Sequence, residues 1–489
     1  MMKPTLQRAA VKLLPLPYLA DSLQYFHTIA AHLPMPVILQ SDVTATQQNS
    51  TQQRRGRFDI ISAAPEYCLQ SNNKTVTWSG DQPSFMEKYT CADSFSVMRS
   101  LVAEMLTTEV DYSAAMQQQL PFCGGLIGYC SYDLAREYAA FPFTKQKDID
   151  APEMQWGFYA WACTQDHQEK KSWLVIHPTC QDSLAKRLPT LLRSPYKNEK
   201  NTEPSAKKNT ELTSNLTFDQ YADKFSTIQH YIHAGDCYQI NFAQRFSGKT
   251  SLSALDVYTK LRTAMPSPFC AYLPIYSDDD SAILSFSPER FVQLSAEGIA
   301  TTQPIKGTAA RHSDVEVDQA IGSALQNDPK NIAENLMIVD LLRNDLGKVC
   351  ETGSVIVKKL FELQSFSNVH HLVSTIDGKL QAGLNGADLL QACFPGGSIT
   401  GAPKNRAMQI IDEIEPNSRS IYCGNIMLYS AHGAMDSSIL IRTLLIKNDE
   451  LFCWGGGGIV ADSECQSEYQ ESLTKIRALL DMLQGNTQA

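Results

Sequence analysis

The 489-residue chain has no Cys-x-x-Cys pair, no apolar run long enough to cross a bilayer and no excess of basic residues. Each absence excludes something. Thirteen cysteines are an odd number and they are scattered, so neither a zinc ribbon nor a redox motif is indicated. Reduced thiols in a cytoplasmic protein are expected instead. The apolar patches near the N-terminus are interrupted by Pro15, Pro17, Asp21 and His27, so neither a signal peptide nor a membrane span is expected. A net charge of −10 argues against a nucleic-acid binder, whose phosphate contacts need a basic face. A small anionic substrate stays compatible, because a positive pocket can sit inside an acidic protein. No internal repeat is visible.

What remains is ordinary globular composition, 43% hydrophobic and 19% charged, in a chain long enough for a sizeable core. The clearest shift in composition is 194–215, SPYKNEKNTEPSAKKNTELTSN, which reads as an exposed linker or long loop. It divides a region 1–193 from a region 216–485. Before it, Pro36–Leu39 and Phe58–Ser62 are strand-like, and Phe122–Tyr129 is punctuated by glycine and aromatics. After it, Phe218–His233 is expected to be helical, with Tyr221, Phe225, Ile228 and Ile232 on one stripe. Cys237–Phe246, Ala282–Ser287, Ser438–Ile446 and Glu450–Trp454 read as strands, Lys330–Leu346 and Ser467–Leu483 as helices. Strands mixed with helices, without regular βαβ alternation, favour an α+β fold.

Several residues need a chemical reason. Lys306, in Gln303-Pro-Ile-Lys-Gly-Thr308, is either a solvated lysine or an amine nucleophile, and the second requires desolvation or nearby positive charge to lower its pKa. The helix around Ile332–Leu342 is apolar almost all round and is expected to be buried. Glu334 within it then needs a partner, either Arg343 or a metal. Glu468, Glu471 and Lys475 share one face of the last helix, and Leu473, Ile476, Leu480 and Leu483 another. The charged face is either solvated or, with Glu334, a source of the hard oxygen ligands Mg²⁺ takes. Gly396–Lys404 is not a phosphate loop, because Ala402-Pro403 separates glycine from lysine and proline lacks the N–H. Gly455–Gly458 is either a flexible turn after a strand or a place where backbone approaches a ligand. Arg442, inside an apolar strand, calls for an anionic partner, a structural carboxylate or a substrate.

Together these segments resemble the chorismate-utilising enzymes. The resemblance is carried by Ala234–Phe246, Ser287-Pro-Glu-Arg-Phe291, Pro304-Ile-Lys-Gly-Thr308, Ala333–Asp340, His371-Leu-Val-Ser374, Phe394–Lys404, Ile441-Arg-Thr443, Gly458–Ser463 and Glu468-Tyr-Gln-Glu471. It implies an α+β fold with a β-sandwich-like core of antiparallel sheets flanked by helices. Region 1–193 would carry a tryptophan pocket and 216–485 would be the chorismate-binding catalytic domain. Glu334 and Glu471 would hold Mg²⁺ with Glu468 close by, clamping the ring carboxylate together with Lys475 and the backbone at Gly456. Arg442 and Tyr422 would face the enolpyruvyl carboxylate, while His371, Ser398 and Thr308 would line the ring. Glu289 matches the general acid that protonates the departing 4-hydroxyl, for which a pKa raised by burial is suited. Gln239 stands where water-adding relatives carry a lysine base. Glutamine cannot deprotonate water and ammonia needs no such help, so amination is implied.

Lys306 matches the aminodeoxychorismate branch, which reads Pro-Ile-Lys-Gly where anthranilate synthases typically read Pro-Ile-Ala-Gly. The resemblance implies that this lysine adds at C2 as the 4-hydroxyl leaves. Ammonia then attacks C4 and expels it, giving 4-amino-4-deoxychorismate for para-aminobenzoate and folate synthesis. No stretch pairs a nucleophile-elbow cysteine with downstream His and Glu, so a separate glutamine amidotransferase subunit would supply the ammonia. Leu39-Gln-Ser41 and Pro266-Ser-Pro-Phe269 match two walls of the tryptophan pocket, putting Ser41, Pro268 and Phe269 around that ligand. Gln40 replaces the glutamate of the Leu-Glu-Ser motif, so tryptophan is expected to stabilise without inhibiting. Two other readings are an anthranilate synthase component I, aminating at C2, and a tryptophan-binding subunit without catalysis. Retention of Glu289, Glu334, Glu471 and Lys306 stands against the latter.

Overall fold

A computed structural model describes residues 9–41, 57–80, 93–107, 109–193, 211–276, 280–366 and 369–484. Most of the expected linker, 194–210, lies outside the described residues; just beyond it, Thr213–Ser214 forms a short strand paired with Gln239–Lys249.

The strand-forming segments assemble into two large antiparallel sheets. The 12-stranded sheet runs from Thr213–Ser214 through Gln239–Lys249, Glu450–Ile459, Thr443–Lys447, Ala282–Ser287 and Phe269–Pro274, and continues through Val37–Gln40, Phe58–Ser62, Trp161–Asp166 and Lys171–Ile176 to Lys12–Leu16. Gly401–Ala402 joins it beside Gln239. The 11-stranded sheet runs from Ile305–Ala310 through Val369–Lys379, Ile299–Thr302, Arg290–Leu294 and Met435–Ile439, then through Asn425–Ser430, Gly125–Cys130, Met154–Tyr159 and Tyr67–Asn72 to Thr75–Gly80, with Ile356–Ser365 also paired to Val369–Lys379. Both sheets take strands from either side of the 194–210 segment. Their inner faces share one core, to which Ile38, Ile60 and Ile283 contribute from the first sheet and Leu126, Ile127 and Met427 from the second. The expected α+β architecture is what the chain adopts. No helix among the described residues is long and apolar enough to cross a membrane.

Helices cover these sheets where capping chemistry starts them. Phe218–His233 opens on a capping box in which Thr217 and Gln220 satisfy each other's backbone N–H groups. Tyr221, Phe225 and Ile228 then pack on Ile410, Ile411 and Ile414 of the helix Lys404–Ile414, each burial contributing about 1.5–3 kcal/mol. Pro329–Gly347 starts on Asp328, whose carboxylate accepts from the N–H of Lys330 (2.8 Å) and Asn331 (3.1 Å), with Pro329 where no N–H is needed.

Three expectations are corrected and one open alternative is decided. The apolar helix around Glu334 is not buried all round: it lies as an outer layer on the Lys306 sheet, burying Asn335, Ile338, Val339 and Leu342 while Leu336 stays 47% exposed. The run Ser438–Ile446 is not one strand. Arg442 adopts φ 50°, and the chain leaves Met435–Ile439 in one sheet to enter Thr443–Lys447 in the other. Gly455–Gly458 is no turn, since it continues Glu450–Ile459 and pairs with Gln244 to Asn241. The last helix is broken into Cys465–Thr474 and Arg477–Gln484, with Lys475 as the cap of the first part. Thr474 bonds back to the Gln470 carbonyl at that point (2.8 Å), a contact that bends helices.

Candidate active site

Lys306 sits at an irregularity in the sheet. Ile305 is opposite Val373 and Thr308 opposite His371, so three steps along one strand meet two on its neighbour. The extra residue is a β-bulge, a device that re-aims side chains beside active sites. Gly307 takes φ +85° within it, a conformation that side chains resist. Lys306 is partly buried. Burial pulls the pKa of its ammonium down; Glu334 opposes this, Lys475 adds to it, and Glu289 and Glu471 oppose it in turn. The structure thus gathers around one lysine the carboxylates and the second lysine that the sequence assigned to the site.

The opposite wall is the glycine strand. A Cβ on Gly457 would lie 3.2 Å from Glu468 Oε2, 3.6 Å from Lys475 Nζ and 3.7 Å from Glu471 Oε1. On Gly456 it would lie 2.9 Å from the Tyr422 hydroxyl, and on Gly458 3.0 Å from Gln239 Nε2. Glycine is therefore required at a close approach of backbone and polar side chains. The helix Cys465–Thr474 supplies Glu468 and Glu471, and its cap Lys475 donates to the Gly456 carbonyl (3.0 Å) and pairs with Glu471 (2.7 Å). Burial pushes the Glu468 carboxyl up, against a hydrogen bond from Ser463 (2.5 Å). Burial acts the same way on Glu471, but Lys475, with Lys306 and Lys330, outweighs it and leaves that carboxyl below its usual range.

Glu468 and Glu471 offer oxygen to one shared point above Gly457, a donor set that suits Mg²⁺, which takes one or two carboxylates and keeps several waters. Among the described residues no three His, Cys, Asp or Glu side chains stand close enough together to hold an ion by themselves. Glu334 is placed by its interaction with Lys306. Arg343 pairs with Asp340 (2.9 Å) and not with Glu334, because three residues along a helix bring Asp340 beside it.

Glu289 is buried, its backbone N–H donating to Ser287 Oγ (3.3 Å) and its carbonyl accepting from Ile439 (3.1 Å). Arg442, in the crossover between the sheets, has its pKa drawn down by burial and held up by Glu289. Tyr422 is stacked on Trp454 (5.9 Å, 5° between planes), with the Arg419 guanidinium 5.6 Å from its centroid. Thr308 Oγ1 and His371 Nδ1 are hydrogen-bonded (2.8 Å) across the two strands. Ser398 lies in the buried turn Gly397–Ile399, packed against the helix that carries Glu334. Gln239 is fully buried, and neither atom of its amide has a hydrogen-bond partner among the described residues. The Lys404 ammonium is taken up by Asp345 (2.6 Å) and the Cys393 carbonyl (2.9 Å), in keeping with the rejection of a phosphate loop. Trp454 and Arg419 were missed by sequence reasoning, since nothing in their spacing marks them, and Ser463, though it ends the Gly458–Ser463 block, was given no role there.

A separate cavity of about 1020 Å³ is lined by Gln40, Ser41, Pro268 and Phe269 on one side and by Arg290 and Gln303 on another. Gln40 pairs with Cys270 across adjacent strands, which sets Ser41 beside Phe269. The Ser41 hydroxyl donates to the Phe58 carbonyl (2.9 Å) and its N–H to Asp59 (2.8 Å). The Gln40 amide donates to Ser22 (2.6 Å) and accepts from the Tyr258 hydroxyl (2.9 Å), so it is committed to the core.

Residues 64–481 match the family described as chorismate binding enzyme. Over 477 residues the chain is 41% identical to aminodeoxychorismate synthase component 1 of Klebsiella aerogenes, covering 97% of this chain and 99% of that one. It is 40% identical over 482 residues to aminodeoxychorismate synthase component 1 of Escherichia coli (strain K12), covering 98% and 99%. Among solved structures it is similar to anthranilate synthase component I from Streptococcus pneumoniae TIGR4, with a TM-score of 0.74 and 32% identity over 90% of this chain and 94% of that one. With a family match over residues 64–481 and this likeness along nearly its whole length, the chain belongs to the family of chorismate binding enzymes.

Proposed function

We propose that the chain converts chorismate and ammonia to 4-amino-4-deoxychorismate. The observation that carries this reading is the bulged, partly buried Lys306, whose pKa is lowered by burial and which faces Glu334, Lys475, Glu289 and Glu471. A lowered pKa makes the free amine, the nucleophilic form, available at lower pH than for a solvated lysine. Both relatives named aminodeoxychorismate synthase component 1 align with nearly all of the chain.

Chorismate carries two carboxylates, and the pocket offers two cationic ends. Lys475 with the backbone at Gly456 receives the ring carboxylate, and Arg442 with the Tyr422 hydroxyl receives the enolpyruvyl carboxylate. Thr308, His371 and Ser398 line the ring between them. Mg²⁺, held by Glu334 and Glu471 with Glu468 close by, would neutralise the ring carboxylate when bound. The Lys306 amine forms a bond to C2, the ring double bonds shift, and the 4-hydroxyl takes a proton from Glu289 and leaves as water. Ammonia then bonds to C4, the double bonds shift back, and the C2–nitrogen bond breaks to release the lysine amine. The new ammonium returns a proton to Glu289, which balances the cycle. Gln239, uncharged, cannot make hydroxide of a water at this point, which favours ammonia as the nucleophile.

The relatives are called component 1, which implies a second component. Ammonia in our reading comes from glutamine through a separate amidotransferase subunit. Every described cysteine is free, which suits a cytoplasmic setting. The Ser41, Pro268 and Phe269 cavity holds tryptophan as a structural ligand.

Chorismate, Mg²⁺ and ammonium with the purified chain are expected to yield 4-amino-4-deoxychorismate by mass spectrometry, with EDTA stopping the reaction and glutamine unable to replace ammonium. Fluorescent anthranilate as the product would instead establish amination at C2. Lys306→Ala is expected to slow 4-amination by on the order of a hundredfold or more, comparable to loss of a general acid. Wild-type turnover by that variant would end the covalent scheme. The rate should pass through a maximum in pH, because Lys306 must be neutral while Glu289 still carries its proton, and the limb set by Lys306 should lie below the ordinary lysine pKa of about 10.4. Since Lys475 helps lower that pKa, Lys475→Met should move that limb to higher pH; a profile that stays put would show that Lys306 is not the group titrating. Tryptophan should raise the melting temperature and leave the rate unchanged, and inhibition on adding it would overturn the structural-ligand reading.

A further inference from the structure

Arg290 is 3% exposed and each nitrogen of its guanidinium has a hydrogen-bond partner. Nε and Nη2 donate to the two oxygens of Asp436, each at 2.9 Å, and Nη1 donates to Gln303 Oε1 at 2.7 Å. Gln303 passes the contact on, its Nε2 donating to Thr375 Oγ1 (3.2 Å). The guanidinium lies over the Phe269 ring, 5.3 Å from its centroid. A bidentate carboxylate would by itself satisfy a structural arginine. The third arm goes elsewhere, to the residue three before Lys306 in the chain.

Placement gives this arm its meaning. Arg290 directly follows Glu289, the proposed acid, and Gln303 lies in the connection between the strands Ile299–Thr302 and Ile305–Ala310. Both catalytic segments are irregular where they meet their neighbours. The register slips between Arg290 and Gln293 against Met435–Ile439, and between Ile305 and Thr308 against Val369–Lys379. A regular ladder fixes backbone position through its own hydrogen bonds, and a bulge gives up part of that hold. Arg290 and Gln303 line the cavity of about 1020 Å³ together with Phe269, Thr375 and Asp436. Its hydrogen bonds go to Asp436 and Gln303, neither of them a reacting group, so these contacts give it no direct part in the chemistry.

We propose that Arg290 is a positioning residue which, through Gln303, holds the acid-bearing and lysine-bearing segments in register. The inference rests on the roles given to Glu289 and Lys306 above. Misplacement of reacting groups by about 1 Å costs on the order of a hundredfold in rate.

Gln303→Ala cuts only the arm to the lysine segment and leaves the Arg290–Asp436 pair in place. It is expected to lower kcat by about 10–100-fold, with KM for chorismate and the melting temperature close to wild type. Gln303→Glu keeps an acceptor for Arg290, and the Thr375 hydroxyl can donate to it, so this variant should recover most of the rate. Arg290→Lys, which cannot bridge both partners, should match Gln303→Ala in kcat. An unchanged kcat in Gln303→Ala, a change in KM alone, or a Gln303→Glu as slow as the alanine variant would overturn the proposal. Rates are followed as chorismate consumed, so a product other than 4-amino-4-deoxychorismate would overturn the functional reading without touching this one.

Discussion

Four consecutive residues without side chains, Gly455–Gly458, set the distances on which the rest of the pocket depends. A Cβ on Gly455 would come within 2.4 Å of the Ser472 carbonyl, which is the backbone of the glutamate-bearing helix itself. One on Gly456 would meet Tyr422, one on Gly457 Glu468, and one on Gly458 Gln239. The strand is therefore the surface against which helix, tyrosine and glutamine are all packed. Its register with Gln239–Lys249, Asn241 opposite Gly458 and Gln244 opposite Gly455, carries that spacing into the sheet. A single methyl group anywhere in the run would have to push backbone or a buried polar side chain aside.

Close spacing in turn shapes the charges. Lys475 is shared: it holds the Gly456 carbonyl, pairs with Glu471, and helps lower the pKa of Lys306. Glu471 is held ionised by the same lysine against its own burial, while Glu468, with only a serine hydroxyl and more distant cations to help, is pushed the other way. Neighbouring carboxylates with opposite shifts are the mark of a site in which environment, and not residue type, assigns the roles. At Arg442, likewise, burial draws the pKa down while the nearby Glu289 holds it up.

Much of this was legible in the sequence, and the limits have physical causes. The helix Phe218–His233 and the strand Ala282–Ser287 were readable to the residue because their periodicity and caps are local. The site residues came from motifs, each a short run whose chemistry is self-contained. Illegible were features decided by distant partners. The apolar run after Ser438 looks like one strand, and only the two sheets on either side explain why it must turn at Arg442. The glycine run leaves turn and close backbone approach open until Gln239–Lys249 is placed beside it. Likewise, nothing local says that Arg343 pairs with Asp340 or that Leu336 faces outward. The bulge at Lys306 is of the same kind, since it exists only relative to Val369–Lys379.

The interleaving of the sheets bears on how the chain reaches this state. Val37–Gln40 is hydrogen-bonded to Phe269–Pro274, and the Gln40 side chain accepts from Tyr258, 218 residues away. Glu450–Ile459, the floor of the pocket, is inserted between Gln239–Lys249 and Thr443–Lys447. Closing loops of that size costs entropy before any pairing repays it, so folding dominated by such contacts is slow. On a ribosome the early strands would wait, with unpaired edges, for partners made near the end of synthesis. The pocket is thus among the last parts of the molecule to come into being, and a chain interrupted short of Ile459 would lack its floor.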